Sequence, residues 1–332
     1  MFKTAIRNIN RKRKYYQRDI NFLFGKRDIF RKAGGARIIV YHGLCKAHHT
    51  KFNARFITVN TFEKHLAFYR RYFNVVSLEE YYNGEFNPGK FNVCITFDDG
   101  LENNYTYGLP LLEKYNMPAT FFITSIRKSG YDILWNDFLS IFSRLGPQKI
   151  SLQNQQFYRS RQHKYISQKT GQDMAAILRN GDFTNKAELM SELYPLLPFK
   201  TDPLLQDYWL QMTEEQIKQL SSSSLVTIGS HGHYHNDLST LSPQQLTDEL
   251  FISKRYLQNI TGKGIKAIAF PYGSYNNNVI KAAEQAGYTQ LLAGDVVRDD
   301  DKTNLLLRER FTINPYISVN NQMNAIITGR YE

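Results

Sequence analysis

Three short polar clusters, each following an apolar run, carry the residue types that hydrolytic chemistry requires. The first is Thr96-Phe97-Asp98-Asp99-Gly100. Two carboxylates directly after an apolar strand project into the mouth of a sheet, where burial and neighbouring charge shift pKa values. Adjacent side chains on extended chain point to opposite sides, so the two are expected to divide the work, one on a metal and one on a proton. The plain structural alternative is an Asp-Asp-Gly turn capping the next helix. The second cluster is Gly229-Ser230-His231-Gly232-His233-Tyr234-His235-Asn236-Asp237, where three of the chain's eight histidines fall within five residues. Neutral imidazole is a common zinc ligand, and two imidazoles with one carboxylate leave a position open for water. His231 and His235 are the expected ligands with His233 in reserve, and His231 with His233 is the other pairing the spacing allows. The third cluster is Phe270-Pro271-Tyr272-Gly273, which either offers backbone N–H groups to a developing oxyanion or is an ordinary turn. Tyr41-His42 ends a further apolar run, with a core histidine as its structural alternative.

The elements that must position these clusters are legible as alternating units. Apolar runs at 38–41, 91–97, 119–123, 225–228, 267–270 and 290–292 read as strands. Segments at about 61–73, 105–115, 213–220 and 277–287 read as helices. The best-marked helix opens at Ser242-Pro243-Gln244-Gln245, where Ser242 caps, Pro243 takes the first helical position and Gln245 completes a capping box. It is expected to run to about Ile260 and stop near Gly262. Repeated strand–helix units imply a mainly parallel sheet, open or closed into a barrel. Ligands collect at the carboxyl ends of such strands, which is where every cluster above falls. Residues of about 127–210 break the rhythm and read as a helical and irregular insertion forming a cap, with a helix at 135–145. Trp135 and Trp209 in it are candidates to stack on a flat substrate face, or simply core residues.

Composition bounds the rest. The chain has 332 residues, 42% of them apolar and 22% charged, enough for a sizeable core. Two cysteines, Cys45 and Cys94, exclude a disulfide scaffold and a cysteine-based zinc site. No run approaches the roughly 18 apolar residues of a membrane span. The basic first thirty residues show no signal-peptide core, so a cytoplasmic location is expected. Net charge is +12, and residues 1–37 hold twelve Lys or Arg against two Asp, so nearly all of it belongs to a basic N-terminal arm over 1–35. Aromatics interleave there, which suits an anionic membrane surface; a solvated extension is the alternative, and nucleic acid is not expected as a partner.

TFDDG, the H-x-x-x-H within SHGHYHNDLS, and FPYG after a strand resemble, in order and type, the polysaccharide deacetylases of the NodB-homology type (carbohydrate esterase family 4-like). The likeness covers roughly 36–125 and 212–315. It implies an α/β fold, a distorted (β/α)7-type barrel over 36–332 interrupted by the insertion, and metal-dependent removal of acetyl from an N-acetylated sugar. It implies Asp98 as general base, Asp99, His231 and His235 as ligands of a divalent metal, zinc first, and the Tyr272 backbone N–H as oxyanion donor. The expected substrate is an N-acetylated glycan or lipid-linked saccharide in cell-surface polysaccharide synthesis, handled peripherally on the inner membrane face. Two family features are missing. Ala269 stands where many members have Arg, and no histidine follows His235 to act as the acid. His42 is the expected substitute acid, and Arg308 or Arg310 the substitute Arg. A carbohydrate-binding relative without turnover is the second reading. A two-carboxylate glycosidase is disfavoured, because its pair must stand about 5 Å or more apart and it leaves the histidines idle.

Overall fold

Hydrophobic periodicity folds the chain into a barrel. The structure, a computed structural model, describes residues 2–25, 27–152 and 154–331. The side chains of Phe2, Lys3 and Arg7 in the basic arm, together with Lys26 and Gln153, lie outside the described residues. The strands of the main sheet are β1 (Ala36–Tyr41), β2 (Phe73–Val76), β3 (Phe91–Phe97), β4 (Ala119–Ile123), β5 (Val226–Ser230), β6 (Ala267–Ala269), β7 (Gln290–Ala293), β8 (Leu307–Glu309) and β9 (Phe311–Thr312). They run β8-β7-β6-β5-β4-β3-β1-β9, every pairing parallel. β8 and β9 are halves of one stave divided at Arg310. The Arg310 N–H donates to Gly294 O at 3.1 Å and the Ile313 N–H to Val40 O at 3.1 Å, so this last stave bridges β7 and β1 and nearly closes the ring. Eight strand segments thus make seven staves, in line with the expected distorted barrel. β2 lies outside the ring, paired with the start of β3.

Side chains alternate across each strand. Val93, Ile95 and Phe97 of β3 and Phe121 and Ile123 of β4 join the main core, while Ile38, Cys94, Phe122, Ala267, Ala269 and Leu292 form a second cluster. Phe122 is the large member there, and a Cβ on Gly229 would sit 2.5 Å from its ring, which explains a glycine in the middle of β5. The helix Pro243–Thr261 has the expected Ser242–Gln245 capping box and ends at Gly262, φ 66°. The other expected helices appear within a few residues of their predicted ends.

The differences have physical causes. Phe73 begins a strand instead of ending a helix, because Phe73 and Val76 are buried against β3. The helix predicted from Tyr105 starts with a wide turn at Asn104–Gly108 and is α-helical only over Leu109–Tyr115. The insertion is more than helical and irregular: a three-stranded antiparallel sheet of Lys149–Leu152, Gln155–Arg159 and Tyr165–Ser167 lies within it. Its short, mixed strands gave no readable alternation. Apolar residues of the insertion, among them Trp135, Phe138, Phe142 and Trp209, form one cluster with Cys45, Phe52, Phe56 and Leu101 from outside it. The arm is a helix, Phe2–Leu23, fixed to the body where Asp19 accepts from Ser318, Asn320 and Asn321 and where Phe22 and Phe30 pack on Phe68. No helix among the described residues is long and apolar enough to cross a membrane.

Candidate metal centre and catalytic site

The carboxyl ends of the staves open into a cavity of about 280 Å³ whose lining includes His42, Asp98, Asp99, His231, His235 and Tyr272. His42, Asp98, Asp99, His231, His235, Tyr272 and Arg310 therefore meet in one place, while His233, Arg308, Trp135 and Trp209 do not line it. Asp99 follows β3 in the left-handed region, φ 75°. That turn removes the expected opposition of Asp98 and Asp99: the chain is not extended at Asp99, and both carboxylates face the same cavity. His235 (φ 56°) and Tyr272 (φ 61°) are also left-handed. Non-glycine residues rarely adopt this conformation, and it concentrates where surrounding packing imposes it for function.

Asp99, His231 and His235 bring one donor atom each within 4.8 Å of one another. His235 Nε2 lies 3.2 Å and His231 Nε2 3.5 Å from Asp99 Oδ1. A tetrahedral ion with bonds of about 2.0–2.2 Å needs ligand separations near these values. His231 Nδ1 donates to Ala269 O at 2.8 Å, which leaves the Nε2 lone pair for a cation, the outer-shell arrangement that metal-binding imidazoles use. The donor set thus fits a divalent metal. His233 does not join it. Its Nδ1 pairs with Ser125 Oγ at 2.6 Å and its Nε2 with Ser129 Oγ at 3.0 Å; the reserve ligand is a structural residue. Strict alternation would put all three histidines on one side; the left-handed turns at Gly232 (φ 77°) and His235 (φ 56°) break it, and His233 turns to the two serines instead.

Asp98 is held by Arg310 in a two-pronged pair, Nη1–Oδ1 2.7 Å and Nη2–Oδ2 2.8 Å. Burial pushes the Asp98 carboxyl up, but the Arg310 charge and His231 outweigh it, and the carboxyl lies below its ordinary value. Burial acts the same way on Asp99, where hydrogen bonds from His231 and His235 win and hold it well below. Both are anions at neutral pH, the state a metal ligand and a general base need.

Comparison with known proteins agrees with this geometry. The family model for polysaccharide deacetylase matches residues 86–141 and 201–291, which include both aspartates, both ligand histidines and Tyr272. The chain belongs to the polysaccharide deacetylase family. A Bacillus subtilis protein assigned to polysaccharide deacetylases, YxkH, is 26% identical over 60% of this chain. The match spans 44% of that relative's length, so the chain accounts for less than half of it. Among solved structures, the Streptococcus pyogenes deacetylase PplD in complex with acetate superposes with a TM-score of 0.56 at 19% identity, over 88% of this chain and 97% of that one. A de-N-acetylase from Aggregatibacter actinomycetemcomitans gives 0.51 at 19%, over 85% and 96%. IcaB from Ammonifex degensii gives 0.52 at 17%, over 89% and 98%. These likenesses extend to the barrel as a whole.

Within this deacetylase-family chain, Arg310 takes the place that Ala269 leaves vacant. Its guanidinium lies 5.4 Å over the Phe122 ring, in the same interior cluster as Ala269. Arg308, the other candidate, stays at Asn304 O and Leu307 O. His42 lines the cavity as expected, but burial pushes its imidazole down to about 4, and Arg55 donates to its Nε2 at 3.2 Å. It is neutral at neutral pH and a poor proton donor. Trp135 and Trp209 are both 3% exposed, so neither is a sugar platform; the Trp135 indole lies under the site and donates to His235 O at 3.5 Å.

Residues the sequence did not single out hold the histidine loop. Glu249, on the helix Pro243–Thr261, accepts from the backbone N–H groups of His233 (2.5 Å) and Tyr234 (3.1 Å) and from Asn236 Nδ2 (2.7 Å). Lys186 of the insertion donates to Asn236 Oδ1 at 2.5 Å. A lone glutamate on an amphipathic helix carries no sequence signal for this task. Glu249→Ala leaves buried donors without a partner and Lys186 without its counter-charge. It should cost about 3 kcal/mol in urea unfolding, whereas substitution of exposed Asp248 on the same helix should change stability by less than about 0.5 kcal/mol.

Proposed function

We propose that the chain is a metal-dependent deacetylase that hydrolyses the N-acetyl group of an amino sugar in a polysaccharide or lipid-linked glycan. The observation that carries this is the meeting of Asp99, His231 and His235 at coordination distance, beside an aspartate that Arg310 keeps ionised. Two imidazoles and a carboxylate favour zinc. An ion held there would polarise the acetyl carbonyl and lower the pKa of a water. Asp98, a buried anion, takes the proton as that water attacks. Arg310 fixes the carboxylate's orientation and keeps it unprotonated until it is used. The Pro271–Gly273 turn, with Tyr272 in its left-handed conformation, offers the Tyr272 N–H to the tetrahedral oxyanion. Arg179 lies 4.4 Å over the Tyr272 ring and pairs with Asp237 at 2.8 Å, tying the insertion to this turn.

The missing Arg and the missing late His motivate the second reading, a binding protein without turnover; Arg310 supplies the first contact, which favours hydrolysis. The basic N-terminal helix, with Leu23 at its end and Phe24 just past it about four-fifths exposed, supports seating on an anionic membrane face; a cytoplasmic location beside the substrate is part of the same reading. Acetate release from a panel of N-acetylated oligosaccharides, free and lipid-linked, tests the proposal. The expected result is turnover that a chelator abolishes and zinc restores. Metal-independent turnover, or tight glycan binding with no acetate released by the zinc-loaded protein, would contradict it.

A further inference from the structure

Breaking an amide C–N bond expels a poor leaving group unless the nitrogen is protonated as it departs. No histidine follows His235 to do this. Asp98 is ionised and serves as acceptor, and His42 is neutral. We propose that Asp137, contributed by the insertion, is the acid that protonates the departing sugar nitrogen; this rests on the deacetylase reading above.

Asp137 lies in the first turn of the helix Trp135–Leu145, is 2% exposed and lines the same cavity as Asp98, Asp99, His231 and His235. Its Oδ1 accepts from Asn53 Nδ2 at 3.5 Å. Its Oδ2 is buried with no hydrogen-bond partner among the described residues. The carbonyl oxygen of a neutral carboxyl is the stronger acceptor, so the Asn53 contact assigns that role to Oδ1 and the proton to Oδ2, the oxygen without a partner. A buried carboxylate with one long hydrogen bond and no counter-charge is costly. Burial first, and the Asp99 charge second, hold the Asp137 carboxyl well above the ordinary range. Asp98 and Asp137 therefore share one cavity in opposite protonation states, the division of labour that acid–base pairs of carboxyls use. Trp135 beneath His235 O anchors the turn that presents Asp137.

In the step, the oxygen–carbon bond forms as Asp98 takes one proton from water. The C–N bond then breaks, its electron pair stays on nitrogen, and nitrogen takes the Asp137 Oδ2 proton. One water and one amide become acetic acid and a free amine. Proton transfer through solvent from Asp98 to Asp137 restores the resting state.

The test compares a leaving group that needs a proton with one that does not. Wild-type protein and Asp137→Asn, both zinc-loaded, are assayed on penta-N-acetylchitopentaose and on 4-nitrophenyl acetate, whose phenolate departs unaided. Asp137→Asn should lose about 10²-fold or more in kcat on the amide and stay within about threefold on the ester. A second readout, independent of turnover, is the infrared band of a protonated carboxyl at neutral pH, present in the wild-type protein and absent from Asp137→Asn. Asp137→Glu, which keeps the acid, should retain the band and recover part of the amide rate, and it stands in if the Asn variant does not fold. Equal losses on both substrates, an undiminished amide rate, or no protonated band in the wild-type protein would overturn the assignment. Wild-type protein that cleaves the ester but releases acetate from no amide contradicts the deacetylase reading instead, and the acid role falls with it.

Discussion

Single replacement of Asp99, His231 or His235 by Ala is expected to strip the divalent ion from the purified protein and lower acetate release by about 10³-fold or more, because each removes one of only three protein ligands at an open site. His233→Ala is the matched control. It stands two residues from both ligands in sequence, yet its ring nitrogens are occupied by Ser125 and Ser129. It should keep the metal and most of the activity, at a cost in stability of about 1–3 kcal/mol from the two stranded hydroxyls. Metal analysis of the four variants beside their acetate-release rates decides the matter. Equal metal loss in His233→Ala would return the ligand pairing to the alternative that spacing alone allowed.

The second large effect concerns the Arg310–Asp98 pair. Arg310→Leu removes the charge that offsets the burial of Asp98, so its carboxyl pKa should rise by about 1–3 units. The general base must be ionised, hence the acid limb of kcat/KM should move to higher pH by the same amount while the alkaline side stays in place. The linked stability follows the same sign. A carboxyl depressed in the folded state stabilises above its unfolded pKa, and that contribution disappears as pH falls through the folded value. Arg310→Leu should lose about 3–5 kcal/mol at neutral pH, because it leaves a buried carboxylate unpaired, and less of that loss should remain in acid, where Asp98 is protonated in both states. Urea unfolding and a kcat/KM profile over the same pH range measure both. An unmoved acid limb would show that Asp98 is not the base whose ionisation Arg310 controls.

What the sequence revealed and concealed divides along physical lines. The strand ends at Tyr41 and Phe97 were legible, and those at Ser230 and Ala269 to within two residues, because buried parallel strands are largely apolar runs and polar clusters follow each. His231 and His235 could be named because histidines are scarce and closely grouped here; which of Asp98 and Asp99 is the ligand followed only from the family resemblance. Arg310 could only be shortlisted with Arg308. It sits between two strands of three and two residues, too short to show alternation, and its partner is 212 positions away. The left-handed turn at Asp99 was also hidden, since Asp-Asp-Gly reads equally well as an extended end or a turn. The insertion's sheet was lost for want of pattern, and Asp137 was hidden inside a helix correctly predicted over Trp135–Leu145, because helical periodicity does not say what the first turn faces.

X-ray absorption at the zinc edge of the zinc-loaded protein tests the central claim most directly. The expected spectrum is one zinc per chain with nitrogen and oxygen neighbours at about 2.0–2.2 Å, two of them imidazole, and that signal should be lost together with the bound zinc in His231→Ala or His235→Ala. A spectrum without imidazole scattering, or one that neither substitution alters, would show that Asp99, His231 and His235 do not close around a metal.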